Sequence, residues 1–169
     1  MTGALPRALG AVLACAGIAA CGAPQHPAQP NSLQSGDSAH FPAAEMVTVP
    51  RVENDTIPEP LTKAPGDARR GREIVTGREA NCLFCHALPE PGLRFMGNVG
   101  PPLAGIAKRL SAGQMRLRIV DPTLANREAA MPAYYRTGSL NEVAQGYRGR
   151  PILTAQEIED VIAYLRTLN

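Results

Sequence analysis

The chain contains no tryptophan and only three phenylalanines and four tyrosines in 169 residues, so it lacks the aromatic mass that usually fills a small domain. Cysteine is also scarce. Of four in total, Cys15 and Cys21 lie in an apolar N-terminal stretch, which leaves no second spaced pair to complete a four-ligand structural zinc site. No basic run resembles a nucleic-acid footprint, and a net charge of +2 decides little, so nucleic acid is not an expected partner. The apolar run from Leu9 to Ala20 is too short to span a bilayer. No histidine follows His86, no cysteine follows Cys85, and there is neither an internal repeat nor a second domain.

What is present divides into three parts. Residues 1–21 read as an export signal: Arg7 supplies the positive start, the apolar run follows, and small residues close it. Ile18-Ala19-Ala20-Cys21 has the form of a bacterial lipobox, which would make Cys21 a lipidated first residue and anchor the protein to a membrane. Ordinary cleavage near Ala20 or Ala23 is the alternative. Residues 22–64 carry seven prolines among Gln, Asn and Ser, too little apolar surface to offset the entropy of ordering, and read as a Pro-rich linker or arm. Within it, Met46-Val47-Thr48-Val49 could pair with a partner as a strand. Residues 65–169, about a hundred, suffice for one small domain with one core.

At the centre of that domain stands Cys82-Leu83-Phe84-Cys85-His86. Two thiols separated by two residues can add across the two vinyl groups of one haem, and the following imidazole then lies under the iron as its proximal ligand. A redox disulfide would also use C-x-x-C, but in a βαβ context that the flanking sequence does not suggest. His26 and His40, the only other histidines, fall in the Pro-rich stretch and are poor candidates to complete a zinc site. The motif therefore points to one covalent haem c, a large flat apolar body that would fill the aromatic-poor core. Export agrees with it.

Helix signals cluster around the motif. Asp67 is an expected N-cap for a helix running to about Arg78, with Gly71, Ile74 and Val75 on one face. Ser111 with Gln114 forms a capping box for a helix that stops before Asp121-Pro122. Thr154 with Glu157 forms a second, and Ile158, Val161, Ile162, Leu165 and Leu168 recur at helical spacing to the chain end. The fold class is all-α with long irregular loops, as expected where loops wrap a haem. Charge is uneven: nine Lys or Arg lie between Pro91 and Arg150, from Arg94 through Lys108, Arg109, Arg116, Arg118, Arg127 and Arg136 to Arg148 and Arg150, against only Asp121, Glu128 and Glu142. This is either a solvated surface or a docking face.

From Gly66 to Asn169 the pattern resembles the single-haem cytochrome c family. In that family a glycine on the first helix meets an aromatic on the last at a close crossing, positions matched by Gly71 and Tyr164. The resemblance implies that Pro101-Pro102-Leu103 is the loop whose main-chain carbonyl, placed at Pro101, accepts the Nδ1 proton of the proximal histidine. For the second axial ligand, Met1 and Met46 are excluded by position and Met115 by its place inside a helix, leaving Met96 and Met131. Met131 precedes Pro132 in a loop after the middle helix and matches the family's ligand; Met96 lies ten residues past His86, on the proximal side. A thioether opposite histidine raises the potential, which suits an electron carrier.

Three runs narrow the resemblance: Gly97-Asn98-Val99-Gly100-Pro101-Pro102-Leu103-Ala104-Gly105-Ile106, Met131-Pro132-Ala133-Tyr134-Tyr135-Arg136, and the stretch from Gly149-Arg150-Pro151 to Val161. They are similar to the SoxX family, small cytochrome subunits of the SoxAX complex of bacterial sulfur oxidation. That likeness implies a larger SoxA-like c-type cytochrome as partner in a heterodimer, thiosulfate joined to a cysteine of a sulfur-carrier protein, and electrons passed to a small cytochrome or other acceptor. It places the catalytic haem on the partner. With Cys82 and Cys85 consumed, this domain keeps no thiolate, so no catalytic residue is assigned to it and its expected role is electron relay in the periplasm.

Overall fold

Asp67 opens the first helix, α1 (Ala68–Thr76), by accepting hydrogen bonds from the amides of Arg69 and Arg70 at 2.8 and 3.2 Å. The computed structural model describes residues 50–168. The expected leader, Cys21, the arm as far as Val49 and its Met46-Val49 patch lie outside the described residues. After α1 come a 3₁₀ turn (Cys82–Phe84), a short helix α2 (Ile106–Arg109), α3 (Ala112–Val120), two further 3₁₀ turns (Pro122–Leu124 and Gln145–Tyr147) and α4 (Ala155–Leu165). Among the described residues the only β pairing is an isolated bridge between Glu53 and Thr56. Both capping boxes are formed, Ser111 with Gln114 on α3 and Thr154 with Glu157 on α4. Two helices are shorter than their patterns suggest. The first stops at Thr76, where Gly77 turns extended, and the last stops at Leu165, so buried Leu168 packs from beyond the helix.

Helices α1 and α4 cross closely, and α3 packs on α4. A Cβ at Gly71 would overlap the Asp160 carbonyl, so contact at the crossing is backbone against backbone, with the start of the Tyr164 side chain beside it. Charge then locks the crossing. Buried Asp160 accepts from the Asp67 amide at 2.7 Å and from Arg70 Nε at 2.8 Å. Burial resists ionisation of this carboxyl, but the Arg70 guanidinium and the Asp67 amide outweigh it and hold its pKa below the ordinary value. On the far side, Tyr164 donates its hydroxyl proton to Glu90, which Arg72 grips through Nε and Nη2. The loop leaving His86 is thereby tied to both helices.

Of the stretch read as a Pro-rich linker or arm, residues 50–64 are described, and their course adds contacts that the reading did not include. Residues 53–64 are docked on the helices. Asn54 and Asp55, both at positive φ, make a tight reversal that returns Thr56 to Glu53. Ile57 is then fully buried, its amide donating to the Gly113 carbonyl at 3.0 Å. Arg116 on α3 and Glu159 on α4 form a buried two-point ion pair at 2.7 and 2.8 Å. Arg116 Nη1 also donates to the Ile57 carbonyl at 2.7 Å, and Glu159 accepts from the Leu61 amide at 2.9 Å. One ion pair thus joins two helices and the incoming chain. It also removes Arg116 from the expected basic face, as do the Arg118–Asp55 and Arg136–Asp121 pairs for their arginines.

Removing one partner of such a pair strands the other in the core. Glu159→Ala should destabilise the domain by about 3–5 kcal/mol in a denaturant titration, and Arg116→Met with Glu159→Leu should recover most of that loss. An unchanged midpoint for the single variant would contradict the assignment. Because the Asp160 pKa is depressed, its contribution is fully present above the ordinary carboxylate pKa and is lost as pH falls through the lower folded value. Stability should therefore hold from neutrality to about pH 5 and fall below about pH 4, and Asp160→Asn should be less stable at neutral pH with a flatter acid limb.

Candidate haem-attachment site

Leaving α1, the chain reaches Asn81 in the left-handed conformation, which asparagine tolerates, and enters the turn Cys82–Phe84. The amides of Cys85 and His86 both donate to the Cys82 carbonyl, at 3.2 and 3.0 Å, so both thiols and the imidazole are carried by one turn. A second segment is laced alongside. The amides of Gly97, Gly100 and Leu103 donate to the carbonyls of Leu83, Cys85 and Ala87 at 2.8, 2.8 and 2.9 Å. Gly100 lies flat against the His86 ring, where a Cβ would overlap the imidazole.

That lacing delivers Pro101 to the histidine. The His86 Nδ1 atom is 2.7 Å from the Pro101 carbonyl oxygen. A carbonyl can only accept, so Nδ1 is the nitrogen that carries a proton here and Nε2 is the one left to meet a metal. The two thiols are free and half-buried. Burial pushes the Cys82 thiol pKa up, with the neighbouring Tyr134 hydroxyl opposing. A zinc or redox cysteine needs the reverse, a stabilised thiolate. Among the described residues no three His, Cys, Asp or Glu side chains converge as an ion site. Two adjacent thiols on one turn, an imidazole with Nε2 turned from its backbone partner and an aromatic-poor core fit a covalent haem.

Tyr134 is a member of this site that sequence reasoning passed over. It is buried, donates its hydroxyl proton to the Ala80 carbonyl at 2.7 Å and lies against Cys82. Burial, with the Cys82 sulfur next, raises its pKa, so it stays a neutral donor. Its amide bonds the Ile119 carbonyl at 3.1 Å, and its carbonyl accepts from Leu153 at 3.0 Å. The loop holding Met131 is thus pinned to the end of α3 and the start of α4. Met131 is half-buried against the same core as Cys82 and Leu83. The Met96 sulfur accepts from the Leu88 amide at 3.2 Å, two residues past His86 in sequence, and Met115 is buried within α3. Only a long-range register could have revealed Tyr134, since nothing local distinguishes it from Tyr135.

Three large apolar side chains stand exposed around the motif, among polar Asn81, Arg94 and Asn98. Phe84, Phe95 and Val99 are 71%, 99% and 72% exposed, the largest values among the exposed large hydrophobic residues. All three lie on the motif turn or the segment beside it.

A family model, Cytochrome c, matches residues 68–169. A chain of the crystal structure of SoxXA from P. pantotrophus is similar at 32% identity and a TM-score of 0.65, the match covering 70% of this chain and 93% of that one. Comparison with curated proteins gives no match.

If the close fit of Gly100 to the imidazole sets the ring, Gly100→Ala should push it aside. The expected result is a loss of about 1–3 kcal/mol of stability and a perturbed haem absorption spectrum. A variant with wild-type spectrum and melting temperature would show that the contact is slack.

Proposed function

From the premise that the chain belongs to the cytochrome c family, as a SoxX-like member that binds one covalent haem c and transfers electrons, we propose that it is the electron-relay subunit of a thiosulfate-oxidising complex. The observation that carries this reading is the likeness to SoxXA over nearly the whole of the matched chain. The haem, when bound, supplies the one-electron chemistry. Cys82 and Cys85 would attach it, and His86, its Nδ1 proton held by Pro101, and Met131 would hold its iron, Met96 being engaged by the Leu88 amide on the histidine side. A thioether there favours the ferrous state.

The division of labour follows from what the domain can and cannot do. Within residues 65–169 no cysteine other than Cys82 and Cys85 occurs, so once these hold the haem the domain offers no sulfur nucleophile and no thiolate ligand. Thiosulfate chemistry then belongs to a larger c-type cytochrome acting on a carrier-protein cysteine, and this chain accepts the released electrons and passes them to a small cytochrome or other acceptor. Export to the periplasm, with lipidation of Cys21 as a membrane tether, belongs to the same reading. The Phe84, Phe95 and Val99 surface suits a lasting partner contact, because it places apolar side chains beside the haem-bearing turn, where electron transfer needs close approach.

The tagged, haem-loaded chain should co-purify with a larger cytochrome, and thiosulfate should reduce its haem only when that partner and the carrier protein are present. Turnover of thiosulfate by the single chain at the rate of the complex would overturn the relay reading, and recovery without any larger cytochrome would favour a free-standing carrier. Phe95→Asp should weaken partner binding at least about tenfold while leaving the haem spectrum unchanged.

A further inference from the structure

The loop that carries the Pro101 carbonyl is poorly equipped to hold itself. Pro101 and Pro102 have no N–H, so between Gly100 and Leu103 there is no amide donor to fix the loop. Leu103 and Gly105 anchor its far end, donating to Ala87 and Leu168 at 2.9 and 2.7 Å. The missing donors come from a side chain. At Gly105 the chain turns into α2, whose last residue, Arg109, folds back over the loop. Its Nη1 donates to the Ala104 carbonyl and its Nη2 to the Pro102 carbonyl, each at 2.5 Å.

We propose that Arg109 is a positioning residue for the proximal histidine. By clamping the carbonyls on either side of Leu103, it sets the tilt of the peptide planes that follow Pro101 and so aims the Pro101 carbonyl at His86 Nδ1. Arginine suits the task because its planar fork can hold two carbonyls at once, whereas an ammonium has no such fixed spacing. The well-aimed bond fixes the ring and increases the electron density that Nε2 offers to a metal. This inference rests on haem binding and not on the sulfur-oxidation reading.

The test uses the isolated, haem-loaded chain, so its outcome is independent of any partner. In the ferrous protein, solvent exchange of the His86 Nδ1 proton, followed by NMR, should be about tenfold faster in Arg109→Gln than in wild type, as expected when a charge-assisted contact is lost. Arg109→Lys keeps the charge but holds the loop less rigidly and should fall between the two. Lys108→Gln removes a charge from the adjacent position and should leave the exchange rate unchanged. Reduction potentials of the same proteins separate charge from position. Both Gln variants lose one positive charge, yet Arg109→Gln should lie above Lys108→Gln, because a loosened Nδ1 bond makes the imidazole a poorer donor to ferric iron. Unchanged exchange in Arg109→Gln, or equal potentials for the two Gln variants, would overturn the proposal.

Discussion

The hydrogen bond from His86 Nδ1 to the Pro101 carbonyl is the constraint on which the functional part of the structure depends. It settles which ring nitrogen is protonated, and therefore which can meet iron. Everything around it serves to make that one distance. The motif turn presents the ring, three backbone bonds lay the following segment beside it, Gly100 leaves room for the imidazole face, and Arg109 supplies the donors that two prolines lack. Remove the bond, and the same residues would form an unoriented histidine in a loop.

The helical frame exists to hold that loop still. At the α1–α4 crossing the absence of a side chain on Gly71 lets backbones touch, and Asp160, with Arg70 and the Asp67 amide, fixes the angle by charge-assisted bonds. Glu90 extends the frame to the loop behind His86 through Tyr164 and Arg72. The Arg116–Glu159 pair then recruits residues 53–64. In each polar device a carboxylate largely withdrawn from solvent is held by its partner, a substitute in a domain short of aromatic packing. The haem c of a cytochrome c supplies the remaining apolar bulk.

How much of this was legible in the sequence divides along the range of the interactions. Cys82, Cys85 and His86 lie within five residues, and the capping boxes within four, so their geometry is local and their pattern carries it. The crossing at Gly71 was legible through its family motif, although the contact is with the Asp160 carbonyl more than with the Tyr164 ring. The docking of residues 53–64 was hidden because Pro58, Pro60 and a lone Ile57 look like linker, while the groups that dock them lie on α3 and α4. Summed charge misled likewise. Arg116, Arg118 and Arg136 count toward a basic face in one dimension and are spent on carboxylates in three. Tyr134 stood only as part of a family run and Arg109 only as one charge among nine; neither role was legible, since one acts across 54 residues and the other on carbonyls that every residue has.

The central proposal is that His86 and a methionine thioether would together hold the haem iron, as in a closed electron carrier. Iron X-ray absorption on the isolated ferric chain tests it most directly. The account predicts one sulfur among the nearest neighbours in the wild type, absent in Met131→Ala and retained in Met96→Ala. A wild-type iron without a sulfur ligand, or a sulfur that survives in Met131→Ala and vanishes in Met96→Ala, would contradict it.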